Sequence, residues 1–230
     1  LEAKTIFEYL QRADPGKYHN GQLRTLQRRI KAWKALYGPP KEIFFSQHYY
    51  PGQWACSDFT CMNELNITIA QQPFEHLFYH FVLCYSNWQA GRICFSESFE
   101  SLSLGIQDAL WKLGGVPFYH RTDNLTSAVH KVGHPDIFTD KYRGLASHYG
   151  FASSKTNPAS PHENGDVERS NGLFKNAVDQ SLIIRGSRDF ETLEQYEKFL
   201  QKIIDRMNQN CHKRFAEEIE VLKGLPNLRY

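Results

Sequence analysis

Hydrophobic positions along the chain follow two rhythms. From Glu2 to about Arg12 the pattern predicts a short helix, which Asp14-Pro15-Gly16 breaks and Asn20-Gly21 follows with a second turn signal. A longer helix is then predicted to about Tyr37, because Leu23, Leu26, Ile30, Trp33 and Tyr37 recur at the spacing of one helical face. Gly38-Pro39-Pro40 ends it, since proline has no amide donor and restrains the residue before it. From Gln53 the rhythm shortens. Trp54–Thr60, Leu65–Ala70 and Leu77–Tyr85 are rich in aromatic and β-branched residues, and read as three sequential strands of an antiparallel meander.

Helical spacing returns at Phe99, Leu102, Ile106, Leu110 and Leu113, with Ser96 or Ser98 as the cap and Gly114-Gly115 as the stop. A short strand over Val116–Arg121 follows, then a helix over Asp140–Tyr149 and a strand near Phe151–Lys155. The polar stretch Thr156–Pro161 leads into a long helix through about Ile184. Asp189–Asn208 is predicted as the last helix, burying Leu193, Tyr196, Phe199, Leu200 and Ile203. The order is three strands, helix, strand, helix, strand, helix, helix.

At 41% hydrophobic and 23% charged, the 230 residues suit a folded chain with a substantial core. A formal charge of +2 does not by itself announce a nucleic-acid partner. The distribution says more: Arg24, Arg28, Arg29, Lys31 and Lys34 lie between Gln22 and Tyr37 with no acid among them. Helix, turn and basic helix in under forty residues resemble the end of a helix-turn-helix DNA-binding unit, against the blander reading of a solvated amphipathic helix. The five cysteines lack zinc-type spacing and read as isolated thiols of a reducing compartment. His76 and His80 fall on a strand, and His130 and His134 in a loop, so neither pair reads as a zinc site. No run reaches membrane-span length. The start at Leu1, inside a helical pattern, suggests a piece of a longer protein.

Three carboxylates carry candidate chemistry. Asp58 lies near the end of the first strand, Asp123 just past the fourth, and Glu168 in the first turns of the long helix. If the first and fourth strands are neighbours, both aspartates reach one sheet end, where a crossing helix can offer the glutamate. Oxygen ligands of this kind suit magnesium or manganese, and a pair of such ions serves in-line phosphoryl displacement. Taken singly, each acid could be a cap or a surface charge.

The chain carries Leu-Arg-Thr-Leu-Gln-Arg-Arg-Ile at 23–30, Gly-Pro-Pro-Lys-Glu at 38–42, Pro-Gly-Gln at 51–53, Asp58-Phe-Thr and Tyr85-Ser-Asn-Trp. It continues with Cys-Phe-Ser-Glu-Ser-Phe-Glu at 94–100, Gly-Gly-Val-Pro at 114–117, His-Arg-Thr-Asp123, Glu-Asn-Gly-Asp-Val-Glu168 and Arg-Gly-Ser-Arg-Asp-Phe at 185–190. Together these resemble the retroviral-integrase-like DDE transposases, and among them the IstA-type transposases of bacterial insertion sequences. Asp123-Asn-Leu departs from the Asp-Asn-Gly of many integrases.

The resemblance implies an α/β, RNase H-like fold with a five-stranded mixed sheet flanked by helices and preceded by part of a helix-turn-helix unit. It implies metal-dependent cleavage of transposon ends and strand transfer of the 3′-hydroxyls, with Asp58, Asp123 and Glu168 as ligands of two magnesium or manganese ions. Glu168 is favoured over Glu163 and Asp166 by the family's glycine, two residues, glutamate pattern; on a helix Asp166 also points about 200° from Glu168. Asn171 and Lys175 share the Glu168 face and are nominated as DNA contacts, or else as an exposed polar face. The expected organisation is a DNA-binding segment at 1–38, a linker at 39–52, a catalytic core at 53–185 and a C-terminal helical extension at 186–230. Expected partners are double-stranded DNA, a second copy of the chain and an IstB-type ATPase helper, in the bacterial cytoplasm at the nucleoid. A catalytically inactive DNA-binding or assembly protein, and an RNase H-like nuclease, are the alternatives.

Overall fold

The computed structural model describes residues 2–37, 48–122, 135–154 and 165–230. They group into two units, Leu1–Gln47 with Asp179–Ser187, and His48–Val178 with Arg188–Tyr230.

In the first unit, α1 (Ala3–Ala13) buries Phe7, and α2 spans Leu23–Tyr37. The turn between them is held by side chains. Gln11 donates through Nε2 to the Tyr18 carbonyl and to Asn20 Oδ1, each at 3.0 Å. Gln22 Oε1 accepts from the His19 amide at 3.0 Å, just ahead of α2. Of the expected apolar face of α2, Leu23, Leu26 and Ile30 are half-buried, whereas Trp33 and Tyr37 are exposed with their rings 5.8 Å apart. The Glu2 amide donates to Gln180 Oε1 at 3.2 Å, which ties the 179–187 segment into this unit.

The second unit is built on a five-stranded sheet of β1 (Trp54–Cys61), β4 (Leu77–Leu83), β5 (Gln89–Cys94), β6 (Tyr119–Thr122) and β7 (Ala152–Ser154). Their order is β5-β4-β1-β6-β7, antiparallel on the β5-β4-β1 side and parallel on the β1-β6-β7 side. This is the mixed sheet expected of an RNase H-like fold. Strand alternation sorts β1 cleanly. Ala55 and Phe59 enter a core with Ile106, Leu110, Tyr142 and Leu145, which lie on α3 (Phe99–Leu113) and α4 (Pro135–Tyr149). Cys56 faces the other way, with Val82, Cys84 and Val167 of α5 (Gly165–Arg185). None of the five cysteines forms a disulfide, and Cys56 and Cys84 are not isolated, their sulfurs being 3.2 Å apart.

Several sequence expectations need correction. Leu65–Ala70 does not form the second strand of the meander. Only Thr68–Ile69 (β2) is extended, and it joins Gln72–Pro73 (β3) and Asp189–Phe190 (β8) in a separate small sheet. The positive φ of Asn66, Ala70 and Gln71 (49°, 49° and 63°) breaks the extended backbone around it. The strand that completes the meander is β5, whose apolar pattern Gly91 and Arg92 interrupt. Gly91 has a packing reason, because a Cβ there would lie 2.3 Å from the Phe78 ring. The helix expected from Asp189 starts at Leu193 (α6, Leu193–Gln209), and a further short helix, α7 (His212–Ile219), follows it.

Other signals hold. Ser98 is the cap of α3, accepting from the Ser101 amide at 3.2 Å, and Gly114 ends that helix at φ 79°. No helix among the described residues is long and apolar enough to cross a membrane.

Candidate functional site

Asp58 stands in the middle of β1, directly opposite His80 of β4 in the antiparallel register. Alternation turns both side chains toward α5. That helix lays Val167, Asn171, Phe174 and Val178 against the sheet at steps of four, three and four, all of them buried. Phe174 stacks on Phe78 at 4.6 Å and lies 5.3 Å from the His80 ring, so aromatic packing fixes where the helix crosses.

The half-buried Asp58 carboxylate is oriented at both oxygens. Oδ1 accepts from the Phe59 amide at 2.8 Å, and Oδ2 from Asn171 Nδ2 at 3.0 Å. Asn171 does not present the exposed DNA contact expected for it. It is only 7% exposed, and its other end, Oδ1, meets His80 Nδ1 at 2.7 Å. Position 171 falls on the sheet-facing stripe, which the spacing from Glu168 alone did not reveal.

Glu168 follows buried Val167 by one position and is exposed, at the same end of α5 as Asn171. Lys175, one turn beyond Asn171, is half-buried with its ammonium 4.0 Å from Glu64. Asp123 lies outside the described residues, as do Glu163, His130 and His134. The strand that leads to Asp123 is described: β6 runs parallel to β1 with Thr122 paired to Ser57, the residue before Asp58. Among the described residues no three metal-ligating side chains gather.

Behind Asn171 the polar chain continues. His80 Nε2 lies 2.7 Å from Gln89 Oε1, and the backbone of Gln89 exchanges two hydrogen bonds with the Asn208 side chain, at 2.9 and 2.8 Å. His80 is fully buried, and desolvation draws its pKa below the usual histidine value, against the upward pull of Asn171 and Gln89. His76 is engaged separately, with Tyr196, so the two histidines form no pair. Sequence reasoning missed His80 and Gln89 because β5 was not recognised, which left their mutual position unknown.

A second feature was also missed. A cavity of about 730 Å³ is lined by Arg169 and Ser170 of α5, Gln89 of β5, and His212, Lys213 and Arg214 of α7. Of the expected DNA-binding residues, Arg24, Arg28, Arg29, Lys31 and Lys34 are all exposed on α2.

The sheet order and the helix across it define an integrase-like catalytic core fold. A chain of the simian T-cell lymphotropic virus intasome in complex with PP2A regulatory subunit B56 gamma shares that fold, at TM-score 0.56 and 13% identity over 99% of this chain and 78% of its own. The magnesium-bound catalytic core domain of HTLV-2 integrase aligns at TM-score 0.47 and 19% identity, over 69% of this chain and 88% of its own. By sequence, the whole chain is 39% identical to 46% of the uncharacterized protein y4jA/y4nE/y4sE of Sinorhizobium fredii (strain NBRC 101917 / NGR234). It is 27% identical, over 64% of its length, to 30% of the transposase for insertion sequences IS1326/IS1353 of Pseudomonas aeruginosa. The chain thus spans less than half the length of these relatives. Residues 1–37 match the Y4rL C-terminal three-helix bundle domain family.

Proposed function

We propose that this chain is the catalytic core of an IstA-type DNA transposase, with Asp58, Asp123 and Glu168 as its metal ligands. The observation that carries the reading is the Asn171–Asp58 hydrogen bond of 3.0 Å, which ties the helix bearing Glu168 to the strand bearing Asp58. The parallel pairing of Ser57 with Thr122 supports Asp123 as the third ligand, because it sets the chain leading into Asp123 beside Asp58. The donor set fits a hard divalent cation: the oriented carboxylate of Asp58, and the exposed carboxylate of Glu168 at the helix end that carries Asn171.

When bound, magnesium or manganese would supply Lewis-acid stabilisation for in-line displacement at a DNA phosphate. The protein's part is to hold Asp58 fixed through Phe59 and Asn171, and to keep Glu168 free at the surface. Lys175 and the basic face of α2 are assigned to double-stranded DNA, and Asn171 to positioning. Joining two transposon ends calls for a second copy of the chain, and the IstA resemblance brings an ATPase helper with it, in the bacterial cytoplasm.

The test is strand transfer of a pre-cut transposon-end oligonucleotide in magnesium or manganese, with the chain in its full-length protein. Asp58→Asn, Asp123→Asn and Glu168→Gln are expected to bind the end but join it at least ~100-fold more slowly, the rate equivalent of several kcal/mol of lost charge stabilisation. Joining at the wild-type rate by all three variants rejects the assignment. Neutralising Arg24, Arg28 and Lys31 together is expected to weaken end binding and flatten its salt dependence by about 0.9 in log–log slope for each lost phosphate contact. An unchanged slope removes α2 from the DNA interface.

A further inference from the structure

We infer that His80, with the Gln89 side-chain amide turned to offer it NH2, is protonated at Nδ1 alone and so locks the amide of Asn171 and through it the orientation of the Asp58 carboxylate. The inference rests on the reading of Asp58 as a metal ligand and adds two positioning residues behind it.

The argument follows from donor and acceptor capacity. Asn171 has two amide ends of nearly equal shape and opposite chemistry, so shape alone cannot hold it one way round. A carboxylate only accepts, so the end facing Asp58 Oδ2 at 3.0 Å must be the NH2 group. The carbonyl end then faces His80 Nδ1 at 2.7 Å, and that contact is a hydrogen bond only if Nδ1 carries the proton. A neutral imidazole has one such proton, which leaves Nε2 bare. The atom beside it at 2.7 Å is Gln89 Oε1, acceptor against acceptor for a neutral ring, so the Gln89 amide, whose two ends are nearly equal in shape, has to turn its NH2 group to Nε2.

With the Gln89 amide so turned, the polarity of the chain is set throughout: Gln89 donates to His80, His80 to Asn171, and Asn171 to Asp58. At 0% and 7% exposure, His80 and Asn171 have no bulk water to stand in for a lost partner. Reversing the imidazole proton would turn the Asn171 carbonyl toward the carboxylate, acceptor against acceptor. Asn208, which grips the Gln89 backbone through both ends of its own amide, anchors the far end of the chain on α6.

Two measurements test this on the 230-residue chain. Long-range proton–nitrogen correlation spectra of the wild type should show a protonated Nδ1 and a bare Nε2 at His80 near neutral pH. A bare Nδ1, or a doubly protonated ring, overturns the inference whatever the chain catalyses. The second measurement uses Mn2+ alone, with the free ion followed by paramagnetic resonance. His80→Leu should lower Mn2+ affinity about 10–100-fold, the usual cost of losing an outer partner of a ligand. His80→Asn, of similar shape but with an amide nitrogen near the place of Nδ1, should restore most of it. Equal affinities for the Leu variant and wild type, or for the Leu and Asn variants, overturn the inference. Asp58→Asn separates the two levels. If that variant keeps wild-type Mn2+ affinity, the parent reading fails; if it loses affinity while His80→Leu does not, only the positioning role fails.

Discussion

Glu168 and Glu218 show what surroundings do to one residue type. Glu168 is exposed, while Glu218 has 0% exposure and accepts from the backbone amides of Gly52 and Ser86, both at 3.1 Å. Burial raises the Glu218 pKa, against the downward pull of the Ser86 and Gly52 hydrogen bonds. The folded protein therefore holds this proton more tightly than the unfolded chain does. Its contribution to stability is full below the ordinary glutamate value and declines as pH rises through the raised one. Denaturant unfolding across that window should show wild type losing stability relative to Glu218→Gln as pH increases; a constant difference would show that Glu218 titrates normally. Glu218→Ala should destabilise the protein by about 1–3 kcal/mol for each amide left buried without an acceptor.

Among the elements, legibility in the sequence followed side-chain rhythm. The helices with a clear apolar face were readable, α3 nearly to both ends and α6 at its C-terminal end, because burial on one side forces that spacing. Strand β5 was not, since glycine and arginine sit where its alternation needs apolar residues, and the close approach of Phe78 that demands Gly91 is a tertiary fact. Leu65–Ala70 misled in the opposite direction: its residues favour strands, but its backbone turns at Asn66 and Ala70. The carboxylates were legible as motifs. The position of Asn171 beside Asp58 depends on how α5 rolls onto the sheet, which periodicity around Glu168 did not resolve. Close packing of α3 on β4 gives a sharp test, because a Cβ at Gly105 would lie 2.3 Å from the Tyr79 ring, itself fully buried. Gly105→Ala should cost about 1–3 kcal/mol through overpacking, despite alanine's better helix propensity. Thermal unfolding measures it, and an unchanged or raised midpoint would mean that the interface yields freely.

For the molecule as a whole, a net charge of +2 conceals strong local contrast. Arg169, Lys213 and Arg214 line one cavity with His212, and the sequence hid this because α5 and α7 are far apart along the chain. Such a cavity suits phosphate oxygens, and its position along α5, beginning next to Glu168, suits DNA extending away from the proposed site. Neutralising the three permanent charges should lower the salt dependence of DNA binding by up to about 0.9 per charge, with metal affinity unaffected. An unchanged slope would leave the cavity without a role in DNA binding.

The pairing of Asp58 with His80 also bears on how the sheet assembles. A strand that slips by one residue exchanges its two faces. Were β1 to slip so, Asp58 would leave Asn171 and enter the layer of Ile106, Leu110 and Leu145, and Phe59 would take its place among polar groups. Misaligned chains would thus bury an unmatched carboxylate, a penalty large enough to reject them during folding. The acid proposed for chemistry would then also act as a proofreader of its own strand's alignment.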